Sequence, residues 1–167
     1  ARKYPNDIAL ATQEIELNLM SGKQKEVISK IIDQEQKNPG NKLYPFYLGI
    51  AYSATNDYVK AEEAYKRAIE IEPTYASAYL NLAGILINRG IDTYNAANKL
   101  PVNKQKEYEE TLKKAHAQFD IAYPYLQKAV DLDPSSRLAL ENLKKYYFIK
   151  KDKVKEDEIA KRLNQLK

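Results

Sequence analysis

Four prolines in this 167-residue chain keep a fixed period: Pro5, Pro39 and Pro73 are 34 residues apart, and Pro134 follows Pro73 by 61, which is 27 more than the period. Self-similarity at such an interval marks an array of one repeated supersecondary unit, and it constrains the fold more than any local propensity does. Each proline is followed by turn or capping residues: Asn6-Asp7, Gly40-Asn41, Thr74 and Ser135-Ser136. Proline stops one helix and the polar residue caps the next. Counting back from Pro73 gives one helical stripe at Ala68, Tyr65 and Ala61, a break at Asn56-Asp57, and a second stripe at Tyr52, Gly49 and Leu48. One unit is therefore two short helices, with small residues at Gly49, Ala61 and Ala68 letting the axes approach and Tyr52 and Tyr65 filling the space beside them.

Composition agrees with helix. Only five glycines and seven prolines are available to build turns, and the abundant Lys, Glu, Leu, Ala and Ile suit helix throughout. No run approaches the roughly 18 to 20 apolar residues a membrane span requires, and Ala1 to Asp7 lack the apolar stretch of a signal peptide, so membrane insertion is not expected of this segment. Cysteine is absent, which excludes disulfides and thiolate chemistry and leaves the compartment open. The 27 basic residues against 23 acidic ones give a net charge of +4, spread over a mixed surface rather than clustered as a nucleic-acid-binding face would be.

Leu48-Gly49-x-x-Tyr52, Ala61-x-x-x-Tyr65-x-x-Ala68 and Pro73 together resemble the tetratricopeptide repeat. Residues 42–75 carry almost the whole signature, departing where Pro45 replaces the usual Trp; proline is tolerated in a first turn, where its missing donor has no partner anyway. A shift of 34 puts Tyr79, Leu82, Ala83 and Leu86 in the same register, and counting back from Pro134 adds Ala122, Leu126 and Ala129. Residues 8–41 are a weaker copy, with Ile15, Val27 and Ile31 on the stripe, Gly22 at the turn, and Asn18 and Gln34 at positions where small or apolar residues are usual. Residues 137–167 form an incomplete last copy on Leu140, Leu143, Tyr147, Ala160 and Leu163, with Lys144 and Glu156 giving it the polarity of a terminal cap.

The expected organisation is thus residues 1–7 as the end of a preceding repeat, 8–41 as a degenerate first repeat, 42–75 as the second, 76–136 as the third with a helical insertion of about 27 residues at 91–115, and 137–167 as a capping pair. The resemblance implies an all-α fold: a right-handed α-α superhelix, or solenoid, of about eight antiparallel helices with one elongated hairpin. Pro5 in the register of a terminal proline suggests a fragment excised from a longer bacterial array. Similarity to exported repeat proteins points to a periplasmic or membrane-anchored parent, with a cytoplasmic one also open.

The insertion is patterned as helix. Gly90, Tyr94 and Ala97 extend the stripe of Leu86 up to a break at Lys99 to Asn103, where Asn103 is expected to cap a new helix. Tyr108, Leu112, Ala115, Phe119, Ala122 and Leu126 then alternate steps of four and three, a seam for an antiparallel partner. About 13 extra residues on each helix would project roughly 20 Å. Pro124 lies inside the second helix, where its ring opposes the carbonyl of Asp120 and a kink is expected. Lys104, Lys106, Glu107, Glu109, Glu110, Lys113 and Lys114 give the outer surface mixed charge, which suits a solvated face and would also serve for docking.

Chemistry is hard to find. The single histidine, His116, sits on the flank of the seam without a visible acid or base partner, and Glu156-Asp157-Glu158 ahead of Lys161-Arg162 reads as pairing at helical spacing. No phosphate loop, metal motif or nucleophile elbow occurs, so no enzyme, cofactor or metal site is expected. Helical arrays offer surfaces instead, with first helices lining a concave face. Equivalent registers on that face are Thr12, Phe46, Leu80 and Glu141; Gln13, Tyr47, Asn81 and Asn142; and Glu16, Ile50, Gly84 and Lys145. Phe46, Ile50 and Leu80 offer an apolar patch beside Asn81, whose amide can hold a peptide backbone, and Asn142 and Lys145 extend the candidate set. The subclass that grips chaperone-tail carboxylates needs two Lys, two Asn and an Arg; here Phe46, Ile50, Leu138 and Asn142 stand in four of those places and only Asn81 matches, so no carboxylate clamp is expected. The function expected is a non-enzymatic scaffold or adaptor for a protein segment. An oligomerisation module, or an accessory domain of a larger exported protein, is the alternative.

Overall fold

The computed structural model describes residues 8–166, the side chains of residues 8, 9 and 11 apart. The expectations for Ala1 to Asp7, both the orphaned helix end and the Asn6-Asp7 cap, lie outside the described residues. Those residues are all-α: α1 (Ile8–Met20), α2 (Gln24–Lys37), α3 (Leu43–Ala54), α4 (Tyr58–Ile71), α5 (Ala76–Asn98), a 3₁₀ turn (Val102–Lys104), α6 (Gln105–Leu132), α7 (Arg137–Ile149) and α8 (Lys153–Gln165). They divide into two compact units on either side of a boundary between residues 78 and 79, in the first turn of α5.

In the first unit α1 to α4 surround a core of Ile15, Val27, Ile31, Tyr44, Tyr47, Leu48, Ala51 and Ala64. Each fully buried Ile or Leu there stabilises the fold by about 1.5 to 3 kcal/mol. The tight turns use left-handed backbone, at Gly22 (φ 75°) between α1 and α2 and at Asn56 (φ 62°) between α3 and α4; glycine and asparagine adopt it at least cost. Asp57 then caps α4 by accepting from the Lys60 amide. Pro45 is buried at the third position of α3, where the resemblance puts it in place of Trp. Gly49 lets α4 approach α3: a Cβ there would run into the Tyr65 ring, whose hydroxyl lies 3.4 Å from Ser53. Arg67 of α4 forks onto Glu35 of α2 at 3.0 and 3.3 Å.

The second unit begins with the elongated hairpin, α5 of 23 residues and α6 of 28. Position 90 is 34 residues beyond Asn56, which is itself 34 beyond Gly22. The turn glycine is present, yet the chain continues as helix, and Gly90 gives room to Phe119, whose ring a Cβ would meet at 2.7 Å. Ala115, Phe119, Ala122 and Leu126 of the expected seam are buried, with Tyr108 and Leu112 half-buried nearer the tip. Thr93 donates to Gln118 across the pair at 3.0 Å. Two local expectations are corrected. Asn103 does not cap α6: it sits within the 3₁₀ turn and Lys104 occupies the cap position without a side-chain bond, because Pro101, with φ fixed at −62°, starts a tighter turn first. Glu156 and Asp157 pair with Lys153 upstream of them, at 3.4 and 2.9 Å, while Arg162 donates to the Pro134 carbonyl.

α6 runs unbroken through Pro124. One turn before it, the Asp120 carboxylate accepts from Lys150 at 2.9 Å and from the Tyr146 hydroxyl at 3.3 Å. Tyr123 of α6 stacks on Tyr146 of α7 at 4.6 Å and shares a hydroxyl contact of 3.2 Å with Tyr147. Ser136 caps α7 and Asp152 caps α8, and the turn between those helices places Lys151 at φ 58°.

Candidate protein-binding face

In the first unit the first helices of the two pairs, α1 and α3, lie side by side. Phe46 is half-buried on α3, its ring 5.9 Å from Tyr47, 5.9 Å from Tyr65 and 4.9 Å from Tyr75. Ile50 follows one turn later on the same helix and is also half-buried. Both keep apolar surface in water while their inner edges pack, as a docking residue on a rigid helix does. The Tyr47 hydroxyl donates to Oε1 of Glu16 on α1, which joins the two helices at this surface. Burial first, and then the adjoining Glu16 carboxylate, holds the Tyr47 phenol well above its usual range. Tyr75 is pushed up to about 12, again mainly by burial and then by Glu72 and Glu16. Lys42 lies 4.5 Å over the Tyr75 ring and 2.5 Å from Glu72. The surface thus combines aromatic edges with one carboxylate held in a fixed orientation.

In the second unit Leu80 and Asn81 are half-buried on α5. Asn142 of α7 is 8% exposed, so its amide is largely covered. Lys145, one turn on, is exposed and lines an open cavity of about 520 Å³ with Glu141, Lys144, Phe148, Glu156 and Leu163. The candidate residues therefore fall into two groups: Phe46 and Ile50 with the first unit, and Leu80, Asn81, Asn142 and Lys145 with the second. Sequence reasoning put Glu16 in the same register as Ile50 and did not select it. The signal was its 31-residue separation from Tyr47, close to one period, which sets the two on adjacent first helices.

His116 is half-buried on α6. Among the described residues no three His, Cys, Asp or Glu side chains gather as a metal site, and no helix is long and apolar enough to cross a membrane.

Two models of one family match the chain, both described as tetratricopeptide repeat, over residues 46–75 and 64–101. Residues 46–101 are tetratricopeptide repeats. Repeats of this family are in general non-catalytic scaffolds that bind protein partners. A curated relative, the photosystem I assembly protein Ycf3 of Cyanophora paradoxa, is 26% identical to these repeats over 108 residues, 64% of this chain and 55% of the relative. The chain thus spans about half the length of that relative. Among solved structures, residues 41 to the end of MamA from Desulfovibrio magneticus RS-1 is 17% identical with a TM-score of 0.47, covering 95% of this chain and 92% of that one. PilW, a type IV pilus biogenesis factor, is 19% identical with a TM-score of 0.46, covering 95% and 77%.

Proposed function

We propose that this tetratricopeptide-repeat chain is a non-catalytic adaptor that binds a protein segment on the face of its first helices, through Phe46 and Ile50 of the first unit, and that Leu80, Asn81, Asn142 and Lys145 are candidate contacts of the second unit in their own right. The observation that carries the reading is Phe46, an aromatic side chain left half in water on a helix whose backbone is locked by the Gly49–Tyr65 contact. Covering two or three such apolar side chains supplies about 1.5 to 3 kcal/mol each, enough for transient association. The relative's name, an assembly protein, supports a partner-binding role of this class. On this reading the repeats run 8–41, 42–75, 76–136 and 137–167.

The test compares wild-type chain with Phe46→Asp, matched for helicity by circular dichroism, in affinity capture from a lysate. A charge at this site must be desolvated on binding, so the variant loses the proteins that wild type retains. An unchanged set of captured proteins overturns the assignment.

A further inference from the structure

We infer that the segment bound on this face is basic, and that Glu16 receives an arginine side chain from it. The inference rests on the binding face proposed above and names the chemistry of its occupant. Glu16 is exposed on α1, and its Oε1 accepts the Tyr47 hydroxyl, which fixes the carboxylate and leaves Oε2 for an incoming donor. Three other carboxylates of this unit are already paired: Glu14 with Lys30 at 2.9 Å, Glu35 with Arg67 at 3.0 Å and Glu72 with Lys42 at 2.5 Å. Among the described residues, no Lys or Arg of this chain pairs with Glu16.

The surroundings select the cation. The Phe46 and Tyr75 rings, 4.9 Å apart, bring aromatic surface to the same face, and the Glu16 charge acts on both the Tyr47 and Tyr75 phenols. A guanidinium combines a planar fork for a carboxylate with a flat, weakly hydrated surface that stacks on aromatic rings, and an ammonium lacks both. An acidic segment would bring like charge to Glu16. The positive charge closest to the rings, Lys42, is already compensated by Glu72, so the site keeps the net negative sign that an arginine complements.

The probes are two acetylated, amidated 12-residue peptides, alike except for one central residue: arginine between leucines in a neutral Ser/Gln background, and the same peptide with citrulline, the uncharged isostere. Binding of each to the full chain is read by fluorescence anisotropy at low salt. The arginine peptide should bind about tenfold tighter or better, the size of a charge-assisted contact, and Glu16→Gln should close the gap. Equal affinity of the two peptides, a gap that survives in Glu16→Gln, or no binding of either overturns the inference. Phe46→Asp separates the two levels. If it abolishes binding of both peptides while wild type shows no arginine preference, the face stands and its basic occupant falls; if it leaves binding intact, both fall.

Discussion

At the scale of single residues, glycine carries much of the packing. Gly49 and Gly90 each face a ring buried to within 2% of complete cover, Tyr65 and Phe119. A ring enclosed on all sides cannot swing away, so an added methyl becomes strain of about 1 to 3 kcal/mol. Gly84, on the same helix as Gly90, has open space around its Cβ direction, and alanine there gains about 0.5 to 1 kcal/mol of helix preference. Urea unfolding should therefore show Gly90→Ala destabilised and Gly84→Ala neutral or stabilised. Equal midpoints would contradict the packing described. Small residues on stripes were legible because helix period fixes which side chains meet. Glu16 was not, because a polar residue at a surface register is ordinary until a partner on another helix gives it an orientation.

At the scale of helices and turns, period and breakers located α1 to α8, and the misses were local contests. Pro101 imposed a 3₁₀ turn ahead of the Asn103 cap. Lys153, in the first turn of α8, took up Glu156 and Asp157, and Arg162 turned to the Pro134 carbonyl. Lys151 adopts a left-handed backbone that only its place in the turn reveals. The pairing of α3 with α4 also sets an alkaline limit. Burial pushes Tyr65 up to about 12, against an unfolded value near 10. Its protonated form is favoured in the folded state, so stability is fully present below pH 10 and declines as pH rises towards 12. At pH 11 the loss from this residue is on the order of 1 kcal/mol. The wild-type chain should lose that much more stability than Tyr65→Phe between pH 9 and 11, measured by denaturant unfolding. Identical losses would mean that Tyr65 is not shielded as described.

At the scale of the molecule, the described residues form two compact units of packed helices, and the second carries the long α5–α6 hairpin. The period of the prolines made the helix pairs legible, and the 27 extra residues made the hairpin legible. A binding face is less so, because stripes that pack and stripes that dock obey the same spacing and differ only in what water reaches. Hydrogen exchange on the full chain, free and bound to a captured partner, tests the central claim most directly. The account predicts added protection concentrated in α1 and α3, around Glu16, Phe46 and Ile50. Protection confined to the hairpin at 91–115, or to α7 and α8, with α1 and α3 unchanged, would contradict it.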